Sequence, residues 1–126
     1  MRTPIATQEA PAAIGPYSQA MQCAGLLWIS GQLGLDPSSG AMVDGGVAAE
    51  TKQALANLAA ICAASGTSLH KAVRCTIYCT DLADFATINA CYQDALSEPY
   101  PARACVQVAA LPKGGLVEID AVVALE

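Results

Sequence analysis

Two charged residues lie inside apolar, strand-like runs near the end of the chain, and their types could do chemistry. Arg103 lies in the run Ala102–Val108, and Glu118 lies in the run Leu116–Leu125 with Asp120 on the same side of the predicted strand. A charge that is taken out of water costs free energy unless it has a partner or a function. An arginine can hold a planar carboxylate, and a glutamate can exchange protons with water. The residues alone equally allow a salt bridge between Arg103 and Glu118, or two solvated acids at Glu118 and Asp120.

Three further positions could contribute to a site, and each also has a purely structural explanation. Tyr17 follows a rigid Gly-Pro step that could aim its hydroxyl at a ligand, although the ring could equally anchor the first hairpin. Gly31 follows a predicted strand, where bare backbone admits a ligand but a simple turn is commoner. Cys105 has no neighbouring base, because the single histidine, His70, precedes a different strand. This disfavours covalent catalysis by the thiol.

The bulk composition indicates an acidic, assembling protein. Of the 126 residues, 54% are hydrophobic and 13% are charged, against a usual charged share of about 25%. So little charge predicts association of subunits. The net charge of -5 and the lack of any cluster of basic residues disfavour nucleic acid as a partner. No apolar run approaches the ~20 residues of a membrane span, so we expect no membrane association and a cytoplasmic location.

The six cysteines predict neither a disulfide framework nor a metal site. They occur without any CxxC spacing, and a single histidine completes no ligand set for zinc. In a reducing compartment, free cysteines most often behave as small buried hydrophobic side chains. We therefore expect reduced thiols and no metal.

The hydrophobic periodicity predicts one domain over residues 1–126 in which strands and helices alternate. The predicted elements in chain order are a possible strand at Thr3–Ala6, a hairpin over Tyr17–Ser30 that Gly31 closes, a helix over Ala48–Ser65, a strand over Val73–Cys79, a helix that Asp81 or Asp84 caps and that ends before Glu98, and strands over Ala102–Val108 and Leu116–Leu125. The first helix is expected to bury Leu55, Leu58, Ile61 and Cys62 and to carry Glu50 and Lys52 on its outer face. The strand after it is expected to place Val73, Cys75, Ile77 and Cys79 on one face. The apolar face of the second helix is expected to contain Phe85, Ile88, Cys91 or Tyr92, and Leu96.

This order contains two β-α-β crossovers. Right-handed crossovers that run in the same direction place both helices on the same side of a sheet. The other face of the sheet is then left without cover, and another subunit is its natural cover.

Several stretches together resemble one family, in order and over essentially the whole chain. They are Ala10–Ala20, Ile29–Gln32, Gln53–Leu58, Pro101–Arg103, and Leu111–Gly114 followed by Val117–Ile119. The family is the Rid family of reactive intermediate deaminases, also called YjgF proteins. The resemblance implies a chorismate-mutase-like α/β fold, with two helices on one face of a mixed sheet. It also implies a homotrimer around a central barrel, with a ligand cleft at each subunit interface.

The resemblance further implies an activity that needs no metal or organic cofactor. This is hydrolysis of reactive 2-imino acids, such as 2-iminopropanoate and 2-iminobutanoate, to 2-oxo acids and ammonia. Three alternatives stay open, namely a ribonuclease that inhibits translation, a non-catalytic module that binds a small acid, and a purely structural or chaperone-like oligomer.

The family pattern also assigns a role to each candidate position. The implied roles are carboxylate binding for Arg103, activation of water for Glu118, lining of the site for Tyr17, backbone contacts for Gly31 and Cys105, and a place facing the cleft for Asn89. Ala104 and Ala110 replace the Ser and Arg that are common in the family, and the missing Arg would change the charge of the cleft. The subunit that supplies each group is left open.

Overall fold

Six strands and two α-helices make up the fold in the computed structural model, which describes residues 1–126. In chain order they are β1 (Thr3–Ile5), β2 (Ala20–Cys23), β3 (Leu26–Leu33), α1 (Gly46–Ala64), β4 (Ala72–Cys79), α2 (Phe85–Ala95), β5 (Ala102–Gln107) and β6 (Val117–Ala124). The strands form one sheet in the order β1-β2-β3-β6-β4-β5.

β6 lies inside the sheet and pairs antiparallel with both β3 and β4. The connections through α1 and α2 are the two predicted crossovers, and the second joins the parallel neighbours β4 and β5. α1 packs on β3 and β6, and α2 packs beside α1. The fold is therefore of the mixed α+β class, with its two helices in contact with each other. No helix in the chain combines the length and apolar character that crossing a bilayer requires.

The first hairpin differs from its prediction at the end of β3. Ala24 and Gly25 form the turn with positive φ angles of 56° and 75°, a geometry that suits a two-residue hairpin. β3 then continues through Gly31 to Leu33, so the prediction that Gly31 closes the strand is wrong. Pairing with β6 changes register between Ile29 and Gln32, so two residues of β3 oppose one residue of β6. This β-bulge places Gly31 inside the sheet.

The buried side of the sheet confirms most of the predicted core. Leu55, Leu58, Ile61 and Cys62 of α1 are all buried, and β6 adds Val117, Ile119, Ala121 and Val123. Burial of each large aliphatic side chain contributes roughly 1.5–3 kcal/mol. Glu50 was expected on the outer face of α1, but it is only 5% exposed. That prediction is wrong, because the Glu50 carboxylate accepts a hydrogen bond from the backbone N–H of Leu116 at 2.8 Å.

Two further predicted side-chain positions are corrected. Val73 is 45% exposed, because pairing with β6 shifts between Ala72 and Arg74 and turns Val73 away from the buried face. Phe85, at the first turn of α2, is 40% exposed. The other predicted side chains of that helix, Ile88, Cys91, Tyr92 and Leu96, are buried as expected.

The face of the sheet away from the helices is partly exposed. In β6 the side chains of Glu118, Asp120 and Val122 alternate with the buried ones and lie on this face. Trp28, which pairs with Val122 across β3 and β6, is 47% exposed. Within one chain, this open face has no second layer.

Candidate active site

Arg103 lies on the edge strand β5, on the side of the sheet that α2 covers. Its Nη1 donates a hydrogen bond to Oδ1 of Asn89 at 2.7 Å. The guanidinium carbon lies 4.9 Å from the ring centroid of Tyr92 and 5.5 Å from that of Phe85. Aromatic faces attract a cation without neutralising it. The arginine is therefore oriented by neutral groups.

A pocket of about 360 Å³ opens beside this guanidinium. We call it the Arg103 pocket, and its lining is Asn89, Tyr92, Gln93, Tyr100, Pro101 and Arg103. None of these residues is acidic. A structural salt bridge to an internal acid is therefore not what explains Arg103.

Cys105 follows on the same face of β5 as Arg103. The N–H of Val108 donates to the carbonyl of Cys79 on β4. The backbone N–H and C=O groups of successive residues in a strand point to alternate sides. Those of Arg103 and Cys105, an odd number of positions from Val108, therefore point to the free edge of the sheet. The Cys105 side chain is half-buried against the core. The side-chain hydrogen-bond partner of His70 is Ser97, whose hydroxyl lies 3.0 Å from the imidazole Nδ1, and no hydrogen bond joins His70 to Cys105.

A second pocket, of about 560 Å³, contains the other predicted residues. We call it the Glu118 pocket, and its lining is Pro11, Ala12, Ile14, Tyr17, Gln19, Ser30, Gly31, Gln32, Leu33, Leu35, Pro112, Lys113 and Glu118. A Cβ at Gly31 would lie 2.8 Å from the carboxyl carbon of Glu118. Glycine at the bulge therefore gives the glutamate the space that it occupies.

The electrostatics of this pocket disfavour charge on Glu118. Burial first, and the neighbouring carboxylate of Asp120 second, raise the pKa of Glu118 above its usual range. Asp120 itself accepts a hydrogen bond from the hydroxyl of Tyr78 at 3.1 Å. A carboxylate with a raised pKa is a stronger base than an ordinary glutamate, which suits removal of a proton from water.

Tyr17 belongs to a loop that the buried side chain of Gln19 ties down. The Gln19 amide accepts from the N–H of Thr7 at 2.7 Å and donates to the carbonyl of Pro11 at 2.8 Å. The hydroxyl of Ser30, in the bulge, donates to the carbonyl of Ser18 at 2.6 Å. No sequence pattern singles out Gln19, since its hydrogen bonds all reach backbone groups across the loop.

The comparisons with known proteins agree with this fold. The model of the family described as Endoribonuclease L-PSP matches residues 7–125. The chain belongs to this family, the Rid family. The 2-iminobutanoate/2-iminopropanoate deaminase of Bos taurus is 52% identical over 122 residues, which are 97% of this chain and 89% of that protein.

Two solved Rid-family structures show the same fold. RidA from an Antarctic Psychrobacter superposes with a TM-score of 0.93 at 49% identity, covering 97% of this chain and 98% of that one. TdcF of E. coli with bound serine superposes with a TM-score of 0.90 at 38% identity, with the same coverage. The family resemblance read from the sequence is thereby confirmed.

Within one Rid chain, five of the six predicted site residues form two separate groups, and Cys105 lines neither pocket. Tyr17, Gly31 and Glu118 lie together in one pocket, and Asn89 and Arg103 lie together in the other. The two pockets share no residue and lie on opposite faces of the sheet, because Arg103 contacts α2 whereas Glu118 lies on the open face. The chain holds no cluster of three His, Cys, Asp or Glu side chains arranged for a metal ion.

Proposed function

We propose that this Rid protein hydrolyses reactive 2-imino acids, such as 2-iminobutanoate and 2-iminopropanoate, to 2-oxo acids and ammonia. The observation that carries the proposal is the state of Arg103, a cation that neutral groups hold in place at an open pocket. Such a guanidinium suits a planar carboxylate that arrives as a ligand. The bovine relative, named a deaminase for these imines, supports the choice of substrate.

A homotrimer would bring the two pockets together. In this assembly the Arg103 pocket of one copy faces the Glu118 pocket of the next, and the open faces of the sheets cover one another around a central barrel. Heterologous contacts of this kind close into rings. The exposed Trp28 and the separation of the two pockets within one chain support the arrangement. Each cleft then receives its cation and its carboxylate from different copies.

Arg103 holds the substrate carboxylate through two hydrogen bonds, and Asn89 fixes the guanidinium. The outward-facing peptide of Cys105 and the peptide of Gly31 contact the reacting end of the imine. The thiol of Cys105 takes no part in this mechanism. The hydroxyl of Tyr17 accepts from the N–H of Ile14 at 3.3 Å, and its own proton is donated to substrate or water in the Glu118 pocket. The substrate is thereby oriented before any bond changes.

Glu118 carries the proton through the reaction. The substrate nitrogen is protonated, so the substrate is an iminium. The carboxylate of Glu118 takes a proton from water as the water oxygen bonds to the iminium carbon, which forms a neutral carbinolamine. Glu118 then gives that proton to the amine nitrogen, the C–N bond breaks as the C=O bond forms, and the Glu118 carboxylate accepts the hydroxyl proton and passes it to solvent. The balance is one protonated imino acid and one water to one 2-oxo acid, one ammonia and one proton.

Ammonia release from freshly generated 2-iminobutanoate tests the proposal. An amino acid oxidase produces the imine in situ, and semicarbazide traps what remains unhydrolysed. The protein should accelerate loss of the imine, whereas an Arg103→Ala variant with an unchanged oligomeric state should not. Equal rates for the two proteins would reject the assignment. Binding of 2-oxobutanoate or serine without any acceleration would instead indicate a non-catalytic binding module.

Ribonuclease activity is a second candidate, because the matching family model carries the description Endoribonuclease L-PSP. The net charge of -5 opposes it, since contacts to phosphates require clustered cations. Cleavage of a single-stranded RNA by the wild type, lost in Glu118→Gln, would favour the ribonuclease. An absent or salt-insensitive gel shift would reject it.

A further inference from the structure

The inner face of α1 carries a buried carboxylate that the mechanism above does not use. Glu50 is 5% exposed, and its Oε1 accepts a hydrogen bond from the N–H of Leu116 at 2.8 Å. The contact is long-range, because the two residues are 66 positions apart in the chain. Leu116 directly precedes β6, the strand that carries Glu118.

The backbone around Glu50 leaves it little freedom. A Cβ at Gly34 would lie 2.6 Å from the Cα of Glu50 and 2.8 Å from its carbonyl oxygen. Backbone atoms do not yield as a flexible side chain does, so α1 and the segment after β3 touch directly at this point. The carboxylate of Glu50 therefore reaches Leu116 from a fixed position.

Two turns further along α1, Asn57 fixes the end of β3. Its Nδ2 donates to the carbonyls of Leu33 at 3.1 Å and Leu35 at 3.0 Å. Its Oδ1 accepts from Nε2 of Gln53 at 2.8 Å, so every hydrogen of the amide is bonded and its oxygen is occupied. Asn57 is buried, and breaking this arrangement would leave backbone carbonyls unsatisfied.

The two contacts act on the same pair of strands. Asn57 holds the end of β3 just after the bulge that contains Gly31, and Glu50 holds the start of β6 just before Glu118. The carboxyl of Glu118 lies against Gly31 so closely that a Cβ there would collide with it. A shift of either strand end would therefore move this contact.

We propose that Glu50 is a positioning residue, which sets the place of Glu118 through the backbone of Leu116. The proposal rests on the deaminase activity proposed above for its kinetic test. Asn57 provides the matching restraint on Gly31. Displacement of an acting group by about 1 Å can lower a rate by up to ~100-fold, so a modest loosening of Leu116 is measurable.

Three substitutions at position 50 separate the hydrogen bond from the charge. Glu50→Gln keeps an oxygen at the same reach and should retain kcat within about twofold. Glu50→Asp keeps the charge but falls one methylene short of Leu116, and Glu50→Ala removes both. We expect kcat for 2-iminobutanoate to fall on the order of tenfold in Glu50→Asp and Glu50→Ala, with KM within about twofold, because Arg103 is untouched.

Thr51→Val is the matched control. Thr51 is also buried in α1, but its hydroxyl bonds only to the carbonyl of Val47 within the helix. This variant loses a buried hydrogen bond without touching either strand end, so its kcat should stay at the wild-type value. A fall in kcat equal to that of Glu50→Asp would show a general effect of destabilising α1 and would overturn the proposal.

Hydrogen exchange of the peptide that spans residues 116–119 gives a readout that needs no catalysis. Exchange at these amides should speed up in Glu50→Asp but not in Glu50→Gln or Thr51→Val. Unchanged exchange and unchanged kcat in Glu50→Asp would reject the positioning role. If kcat fell as much in Glu50→Gln as in Glu50→Asp, the hydrogen bond to Leu116 would be rejected as the cause of the positioning. If wild-type protein releases no ammonia, the proposed function fails, and the exchange measurement alone decides the role of Glu50.

Discussion

The Arg103 pocket and the Glu118 pocket are built in different ways. The Arg103 pocket comes from one continuous segment, residues 89–103, in which α2 leads into β5. The Glu118 pocket draws on a loop, a bulged strand, a turn and β6, and these are far apart in the sequence. The first is therefore a local product of one helix–strand unit. The second requires the whole sheet and the restraints from Gln19, Ser30 and Glu50.

The two pockets also differ in the electrostatic surroundings of their charged residues. Arg103 is supported by an amide oxygen and two aromatic rings, which leave its positive charge available. Glu118 is half-buried beside another acid, which makes its negative charge costly. No acid lines the Arg103 pocket, and the one cation that lines the Glu118 pocket, Lys113, donates its hydrogen bond to the carbonyl of Gly40 at 3.3 Å. A cleft that joins them would compensate both at once.

The largest expected effect comes from removal of the cation. Arg103→Ala should lower kcat/KM for 2-iminobutanoate on the order of a thousandfold, because two charge-assisted hydrogen bonds to the carboxylate are lost. Arg103→Lys is the matched control, and it should recover only part of the loss, since an ammonium lacks the planar fork. Steady-state kinetics on protein whose oligomeric state is unchanged by light scattering provide the measurement. Activity of Arg103→Ala near the wild-type value would contradict the role of this pocket.

Removal of the base should separate binding from turnover. Glu118→Gln should lower kcat roughly 100-fold or more while Kd for 2-oxobutanoate, measured by calorimetry, changes little. Its Tm at neutral pH should rise slightly, because the raised pKa means that the fold disfavours the charged form. In the wild type, the protonated carboxyl of Glu118 favours the folded state. This contribution to stability is present at low pH and is lost as the pH rises from the ordinary glutamate pKa through the raised one. A lower Tm with intact kcat would contradict both statements.

Mixed oligomers would test the proposed homotrimer, in which the two pockets meet between copies. Arg103→Ala and Glu118→Gln, each nearly inactive alone, should regain about a quarter of wild-type activity when they are unfolded and refolded together in equal amounts. The reason is that a mixed interface can take Arg103 from one variant and Glu118 from the other. Refolding each variant alone is the control. No recovery in mixed trimers would place both groups on the same chain during turnover.

The smallest expected effect is a shift in pH dependence. Activity should fall as the pH drops through the raised pKa of Glu118, because the protonated acid cannot take a proton from water. Asp120→Asn removes the like charge that contributes to this pKa, so the acidic limb of kcat/KM should move to lower pH. Asn can still accept the hydrogen bond from Tyr78. A shift to higher pH would contradict the assignment of that limb to Glu118.

The sequence predicted the elements well because their periodicities are strong. The inner face of α1 and the alternation in β6 follow spacing rules that need no tertiary information. Gly31 was misjudged because a bulge depends on the register between β3 and β6, which one strand alone does not encode. Val73 was misjudged for the same reason, because its position depends on the register between β4 and β6.

Glu50 and Gln19 show where sequence patterns fail for polar residues. A charged residue in a helix is most often at the surface, so Glu50 was assigned to the outer face. Its true partner is a backbone N–H that is distant in sequence, and Gln19 likewise bonds to backbone groups of its loop. Such hydrogen bonds depend on which backbone segment lies next to the side chain in the fold, and the residue types alone do not predict this. The resemblance to the Rid family supplied the residue roles, whereas their division between two pockets emerged only from the structure.

The neutral surroundings of Arg103 carry a consequence for turnover. A guanidinium with no acid beside it accepts any small planar carboxylate, and the 2-oxo acid product keeps the carboxylate of the imine unchanged. Under the proposed deaminase activity, Arg103 would bind substrate and product through the same carboxylate, so accumulating 2-oxo acid would compete for the empty cleft. Discrimination between the imino acid and the 2-oxo acid would then depend on contacts to the other end of the ligand, where the C=N group is replaced by a C=O group. The proposed function therefore predicts inhibition by the 2-oxo acid product.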